Sequence, residues 1–233
     1  MKVINKLRQS MAKRFYRNPL IARIVANQYH RSFYYRKEKT WQDTHWFGAP
    51  LLKCPLDLWV YQELLYRIKP DFIIECGTNR GGSAYFMANI MDLIGHGRII
   101  TIDIEDVKAD NPTHERVDYL IGSSTSQEIA DQVKSIISDA GGDGPVMAIL
   151  DSDHSRDHVL GEMNAFHEMV TPGSYLIVED TNLNGHPVNP AHGPGPMEAV
   201  FDFLKTNDSY EIDHTQTKYL MTCNPNGYLK RLR

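Results

Sequence analysis

At 233 residues, 42% hydrophobic and 23% charged, the chain is long enough for one domain with a substantial core, and no apolar run approaches the roughly 18 residues of a membrane-spanning helix. Cys54, Cys76 and Cys223 are odd in number and lack CxxC spacing, which argues against a disulfide framework or a cysteine zinc site and for a reducing, cytoplasmic setting. The net charge of −4 hides an uneven distribution: residues 1–39 hold eleven Lys/Arg against Glu38 alone, leaving 14 bases against 28 acids beyond.

The basic leader carries Val3, Leu7, Met11, Phe15, Leu20 and Ile24 at helical spacing, with bases between them too closely interleaved for a secretory signal. The pattern predicts a basic amphipathic helix or two, broken near Asn18-Pro19, that packs on the body, on a second subunit or on an anionic membrane surface. An aromatic connector, Tyr34-Tyr35 and Trp41 to Trp46, leads into the body. There, helices are expected at 55–68, 81–94, 125–139, 156–170 and 197–204, and strands at 71–75, 98–103, 117–121, 146–150 and 175–178. A terminal antiparallel hairpin is expected from 211–214 and 218–222. The central strands are apolar with little alternation, as in a parallel sheet covered on both faces, so the fold class is α/β, doubly wound and mostly parallel. Residues 1–45 read as a helical extension and connector, and 46–233 as one domain.

Four segments carry chemistry. IIECGTNRGGS, residues 73–83, ends a strand and opens a helix, where ligands of doubly wound sheets bind. After Gly77 come Thr78, Asn79 and Arg80, so the glycine of a nicotinamide GxGxxG is missing, and Glu75 stands where a pyrophosphate would be repelled. That pattern favours a nucleoside without phosphates but with positive charge, which S-adenosylmethionine satisfies. The next strand ends in TIDIE, placing Asp103, or failing it Glu105, to accept both ribose hydroxyls. AILDSDHS and LIVEDTN then deliver Asp151, Glu179 and Asp180 to the same rim, a set of hard oxygens suited to Mg2+ because clustered carboxylates repel unless a cation offsets them. One turn on, His154 or Asp153 could take a proton from the acceptor hydroxyl, although Asp153 and Ser155 equally suit helix capping. A Pro/Gly-rich stretch, 184–200, reads as a shaped lid whose His186 and His192 either touch substrate or are solvated.

Together ECGTNRGGS, LDSDHS, VEDTN and GPGPMEA resemble the cephalosporin hydroxylase family, also described as rhamnosyl O-methyltransferase-like. It is a branch of the class I methyltransferases related to catechol and macrolide-sugar O-methyltransferases, and the resemblance covers residues 55–205. It implies S-adenosylmethionine contacts from Glu75, Gly77, Ser83 and Asp103, completed here by Thr78, Ser124 and Asp151. It implies Mg2+ ligands at Asp151, Glu179 and Asp180, with Asp153 the alternative to Asp151, and His154 as base. The hydroxylase name finds no support, since no haem, flavin or two-histidine-one-carboxylate iron motif is present. The expected function is Mg2+-assisted methyl transfer to a hydroxyl of a small molecule, a sugar or glycoside with a vicinal diol. A nicotinamide oxidoreductase and a silent binding module are the alternatives. No nucleic-acid partner is expected, a homo-oligomer is, and the leader is expected to be dispensable for chemistry.

Overall fold

Asn18 and Pro19 divide the leader as their chemistry requires. Helix α1 (Lys2–Tyr16) stops before them, and the Asn18 side chain accepts from Leu20 N to cap α2 (Pro19–Tyr35), with the proline in its first turn. The computed structural model describes residues 2–106 and 112–233, without the side chains of residues 2–4, 7 and 8, so Val3 and Leu7 of the expected stripe lie outside the described side chains. Two short strands, β1 (His45–Trp46) and β2 (Ala49–Pro50), pair antiparallel before the body.

The body alternates as expected. In chain order it contains α3 (Pro55–Ile68), β3 (Phe72–Cys76), α4 (Gly82–Ile94), β4 (Arg98–Asp103), β5 (Val117–Ile121), α5 (Gln127–Asp139) and β6 (Val146–Leu150). It continues through α6 (Arg156–Phe166), β7 (Tyr175–Val178), α7 (Pro196–Thr206), β8 (Tyr210–Ile212) and β9 (Tyr228–Arg231). The seven-stranded sheet has the order β5-β4-β3-β6-β7-β9-β8, with β9 antiparallel to both neighbours. Strand order reverses between β3 and β6, so the carboxyl ends of β3, β4, β6 and β7 share one rim.

Side chains alternate across the sheet and fill two cores. Ile74, Cys76, Ala148 and Leu150 pack with α5, α6 and α7, while Ile73, Met147 and Ile149 pack with α3 and α4. Glu75 therefore enters the layer under α3 and α4, one residue from fully buried Ile74 and Cys76.

Two elements depart from expectation by more than two residues. Helix α6 ends at Phe166, not at 170. The second hairpin strand is β9, not 218–222: Thr222 Oγ1 and Cys223 N donate instead to the buried Asp57 of α3, which draws that stretch off the sheet. Among the described residues no helix is long and apolar enough to cross a membrane.

Candidate active site

The turn after β3 places chain ends very close together. Gly77 has φ +97°, and a Cβ there would lie 2.0 Å from the Asp151 carbonyl oxygen, so only glycine lets the end of β6 rest against this turn. Gly82, opening α4, approaches the Pro50 carbonyl oxygen equally closely and admits β2 to the rim. Between these elements opens a cavity of about 630 Å3.

The expected cofactor residues gather on its β3–β4 side. Glu75 is fully buried; its Oε2 accepts from Thr101 Oγ1 at 2.7 Å, while Oε1 has no well-formed partner. Burial pushes its pKa up to about 7, against the pull of Lys53 and the Ser83 and Thr101 hydroxyls. Thr78 Oγ1 bonds Thr101 Oγ1, and Ser83 is buried beside the cavity. Asp103 accepts from Asn79 N and Glu105 N and keeps lone pairs free toward the cavity. Ser124 lines the cavity, but its hydroxyl donates to buried Glu162 at 2.5 Å, as does that of Ser152.

On the β6–β7 side the structure joins three groups. One donor atom each of Asp151, His154 and Asp180 lies within 4.8 Å of the other two, and His154 Nε2 is 3.2 Å from Asp180 Oδ2. Asp180 adopts φ +54°, a left-handed turn at the strand end. Glu179, expected in the same set, is turned aside: its Oε1 accepts from Lys53 Nζ at 2.5 Å and Tyr61 OH at 2.5 Å. Lys53 Nζ also reaches Asp151 Oδ2 at 2.6 Å. Beyond the end of β7 the left-handed turn at Asp180 sends its carboxylate away from that of Glu179. Burial works against the Lys53 charge, yet Asp151, Glu179 and Glu75 hold its pKa above the ordinary lysine value. Burial raises the Glu179 pKa despite Lys53, and raises that of Asp180 despite His154.

Asp153 closes a turn before α6: its Oδ1 accepts from Ser155 N at 2.7 Å, the Ser155 contacts hold its carboxyl below the ordinary range, and Ser155 at the N-cap makes no side-chain cap bond. Of the two lid histidines, His192 lines the cavity, whereas His186 pairs with Glu198 at 2.9 Å. Cys54, Asp57 and Cys223 form a second cluster with metal-ligand spacing. Asp57 already accepts from Thr222, Cys223 and Tyr228, and the Cys54 contact and burial hold the Cys223 thiol well above its ordinary pKa, so this cluster is a joint between α3 and the 222–224 loop.

Sequence reasoning missed the residues from outside the expected motifs. Lys53 sits in LLKCP just before α3, where a lysine among apolar residues was the available signal. The leader was also underestimated: His30, Phe33, Tyr34 and Trp41 line the cavity. Burial, followed by the Asp180 carboxylate, raises the Tyr34 pKa, placing its hydroxyl within the field of the acid group.

A family model described as "Rhamnosyl O-methyltransferase/CmcI" matches residues 38–232. The chain is 39% identical over 212 residues to the rhamnosyl O-methyltransferase of Mycobacterium tuberculosis (strain H37Rv), covering 89% of this chain and 85% of that one. The Mycobacterium leprae protein of the same name is also 39% identical over 212 residues, with 89% and 90% covered. Among solved structures, CmcI-N160 without ligand superposes with a TM-score of 0.63 at 21% identity, covering 82% and 77% of the two chains. The O-methyltransferase TomG from Streptomyces achromogenes gives 0.53 at 16% identity, covering 89% and 90%. The fold, the cofactor turn and these relatives leave no place for the nicotinamide alternative, and the chain belongs to the rhamnosyl O-methyltransferase/CmcI family of S-adenosylmethionine-dependent methyltransferases.

Proposed function

We propose that this enzyme performs Mg2+-assisted methyl transfer from S-adenosylmethionine to a hydroxyl of a sugar or glycoside bearing a vicinal diol. The observation that carries the reading is the shortage of positive charge around Lys53. Glu75, Asp151 and Glu179 surround this single buried ammonium, with Asp180 beside them. Buried carboxylates are costly unless paired, so the site suits ligands that bring cations of their own. A sulfonium cofactor with an ammonium group fits the cavity in front of buried Glu75, whose Oε1 lacks a well-formed partner, and a divalent ion fits the oxygens of Asp151 and Asp180.

The resident groups divide the work. Glu75, Gly77, Thr78, Ser83 and Asp103 would seat the cofactor, with Ser124 and Asp151 closing its side of the cavity. Asp151 and Asp180 would hold Mg2+, with Glu179 joining them if the ion draws its carboxylate from Lys53. When bound, the ion would template two neighbouring acceptor oxygens and lower the pKa of the one that attacks. Mg2+ prefers oxygen to imidazole, so an ion holding the Asp180 carboxylate would release His154 Nε2, which lies 3.2 Å from Asp180 Oδ2, to take the hydroxyl proton. A structure titled "cmcI-D160 Mg-SAM" supports this pairing of cofactor and ion.

The mycobacterial relatives' names make a rhamnoside the acceptor to test first. Incubated with S-adenosylmethionine and Mg2+, the enzyme should yield a product one methyl heavier by mass spectrometry, and EDTA should stop the reaction. Full activity in excess EDTA would overturn the metal role. A cytoplasmic setting belongs to the same proposal and accords with three free cysteines. The leader's outer face supports a further contact: Met11, Phe15, Leu20 and Ile24 are exposed among Lys13, Arg14, Arg17 and Arg23. Such a face suits a second copy or an anionic membrane; light scattering and flotation with phosphatidylglycerol vesicles separate the two.

A further inference from the structure

The rim of the sheet supplies the acids, but the cavity has another wall, and it comes from the leader. Phe33 and Tyr34 reach it from α2, and Trp41 from the turn that follows. Tyr34 and Trp41 stack nearly parallel, with ring centroids 5.7 Å apart and planes 6° apart, and Trp41 Nε1 donates to the Tyr34 carbonyl at 3.2 Å. The pair is therefore held as a platform.

This wall is fixed to the loop that follows β7. His30 Nε2 and Asn182 Nδ2 are 2.9 Å apart, Arg31 Nε donates to the Pro187 carbonyl, and Asn189 N donates to Tyr35 OH at 2.6 Å. Asp103, the expected ribose partner, ends β4, which lies three strands from β7 in the order β4-β3-β6-β7. At about 4.8 Å per strand the two regions stand roughly 14 Å apart. The aromatic wall thus faces the acid group of β6 and β7, away from the nucleoside end.

We infer that Phe33, Tyr34 and Trp41 form the acceptor subsite, and that its ligand class is a glycoside whose sugar ring lays its apolar C–H face on the Tyr34–Trp41 platform. Aromatic faces attract C–H edges, and the His192 side chain borders the same cavity to meet a ring hydroxyl. The inference rests on the methyl-transfer reading above. It also makes residues 30–41 part of the site, so a boundary at residue 45 does not separate a dispensable extension from the chemistry.

The test uses the full chain, the rhamnoside, and the variants Tyr34→Ala, Trp41→Ala, Tyr34→Phe and Trp41→Phe. Either alanine variant should raise the acceptor KM about tenfold, while S-adenosylhomocysteine affinity by calorimetry stays within about twofold of wild type. Tyr34→Phe should restore KM, since the face and not the hydroxyl makes the contact. The rhamnoside should also perturb wild-type tryptophan fluorescence, and that response should vanish in Trp41→Phe. An unchanged acceptor KM in both alanine variants overturns the subsite, as does a rise in KM matched by equal loss of S-adenosylhomocysteine binding. If the wild type leaves the rhamnoside unmethylated, the methyl-transfer reading fails for this acceptor, while the fluorescence titration still decides the subsite.

Discussion

Glu75 and Glu179 are the same residue type, both almost wholly buried, on the rim of one sheet. Glu179 is completed by the chain itself, because Lys53 and Tyr61 both donate to its Oε1. Glu75 has a hydroxyl on one oxygen and nothing well formed on the other. A buried carboxylate that the protein satisfies is architecture; one that it leaves short is a socket for a ligand. The contrast sets an acid bonded by a lysine and a tyrosine against one bonded by a threonine hydroxyl.

The comparison can be broken first at the acids themselves. Asp180→Ala should lower turnover at least about 10^3-fold, several kcal/mol of lost charge stabilisation, with S-adenosylhomocysteine binding preserved in calorimetry. His154→Ala should slow methyl transfer by about 10^2–10^4-fold, keep metal binding, and erase the limb of the pH–rate profile that rises with pH. If both variants lose cofactor affinity too, the two halves of the cavity are not separable.

Lys53→Met tests the completed side. Removing one partner of a buried ion pair should destabilise the protein by about 3–5 kcal/mol in denaturant unfolding, and added Mg2+ should recover part of the loss. Loss of stability that Mg2+ leaves untouched would show that Lys53 and the ion do not share carboxylates.

Glu75→Gln tests the unfinished side. The folded pKa of about 7 lies above the ordinary 4.5, so the native state binds more protons between those values. Stability without cofactor should therefore be fullest below pH 4.5 and fall by up to about 3 kcal/mol as pH rises through 7. The glutamine variant should flatten that slope and bind S-adenosylmethionine more weakly. His30 should show an effect of similar size and opposite sign. Burial lowers its pKa from 6.5 to about 4, so its contribution is present above pH 6.5 and lost as pH falls through 4. Proteolysis at pH 5 should cut within α2 sooner than at pH 7.5, and His30→Asn should reduce the difference.

Most of the fold was legible because parallel central strands are uniformly apolar. Strands β4, β5, β6 and β7 fall where their runs of Ile, Val and Leu begin and end. The strand expected at 218–222 failed because its short apolar run ends at a partner, the buried aspartate in α3, invisible to any local pattern. The acids at strand ends were readable for the same reason as the strands, since parallel topology sends every carboxyl end to one rim. Lys53, Tyr61 and Tyr34 were not: Lys53 comes from the loop before α3, while Tyr61, which reaches Glu179, and Tyr34, which reaches the cavity, come from helices whose periodicity says only that they pack. Divergence at Glu179–Asp180 was equally hidden, for it depends on one left-handed residue.

The leader meets the cavity on the acceptor side and clasps the loop after β7, while the spacing among β3, β4, β6 and β7 is ruled by backbone hydrogen bonds. Chemistry and choice of acceptor are thereby written on different parts of the chain. Residues in α2 and the following turn can drift without shifting a strand, so acceptor preference can diversify between relatives while the reacting centre is inherited intact. Grafting residues 30–41 from a relative with another acceptor is the shortest route to redirecting this enzyme.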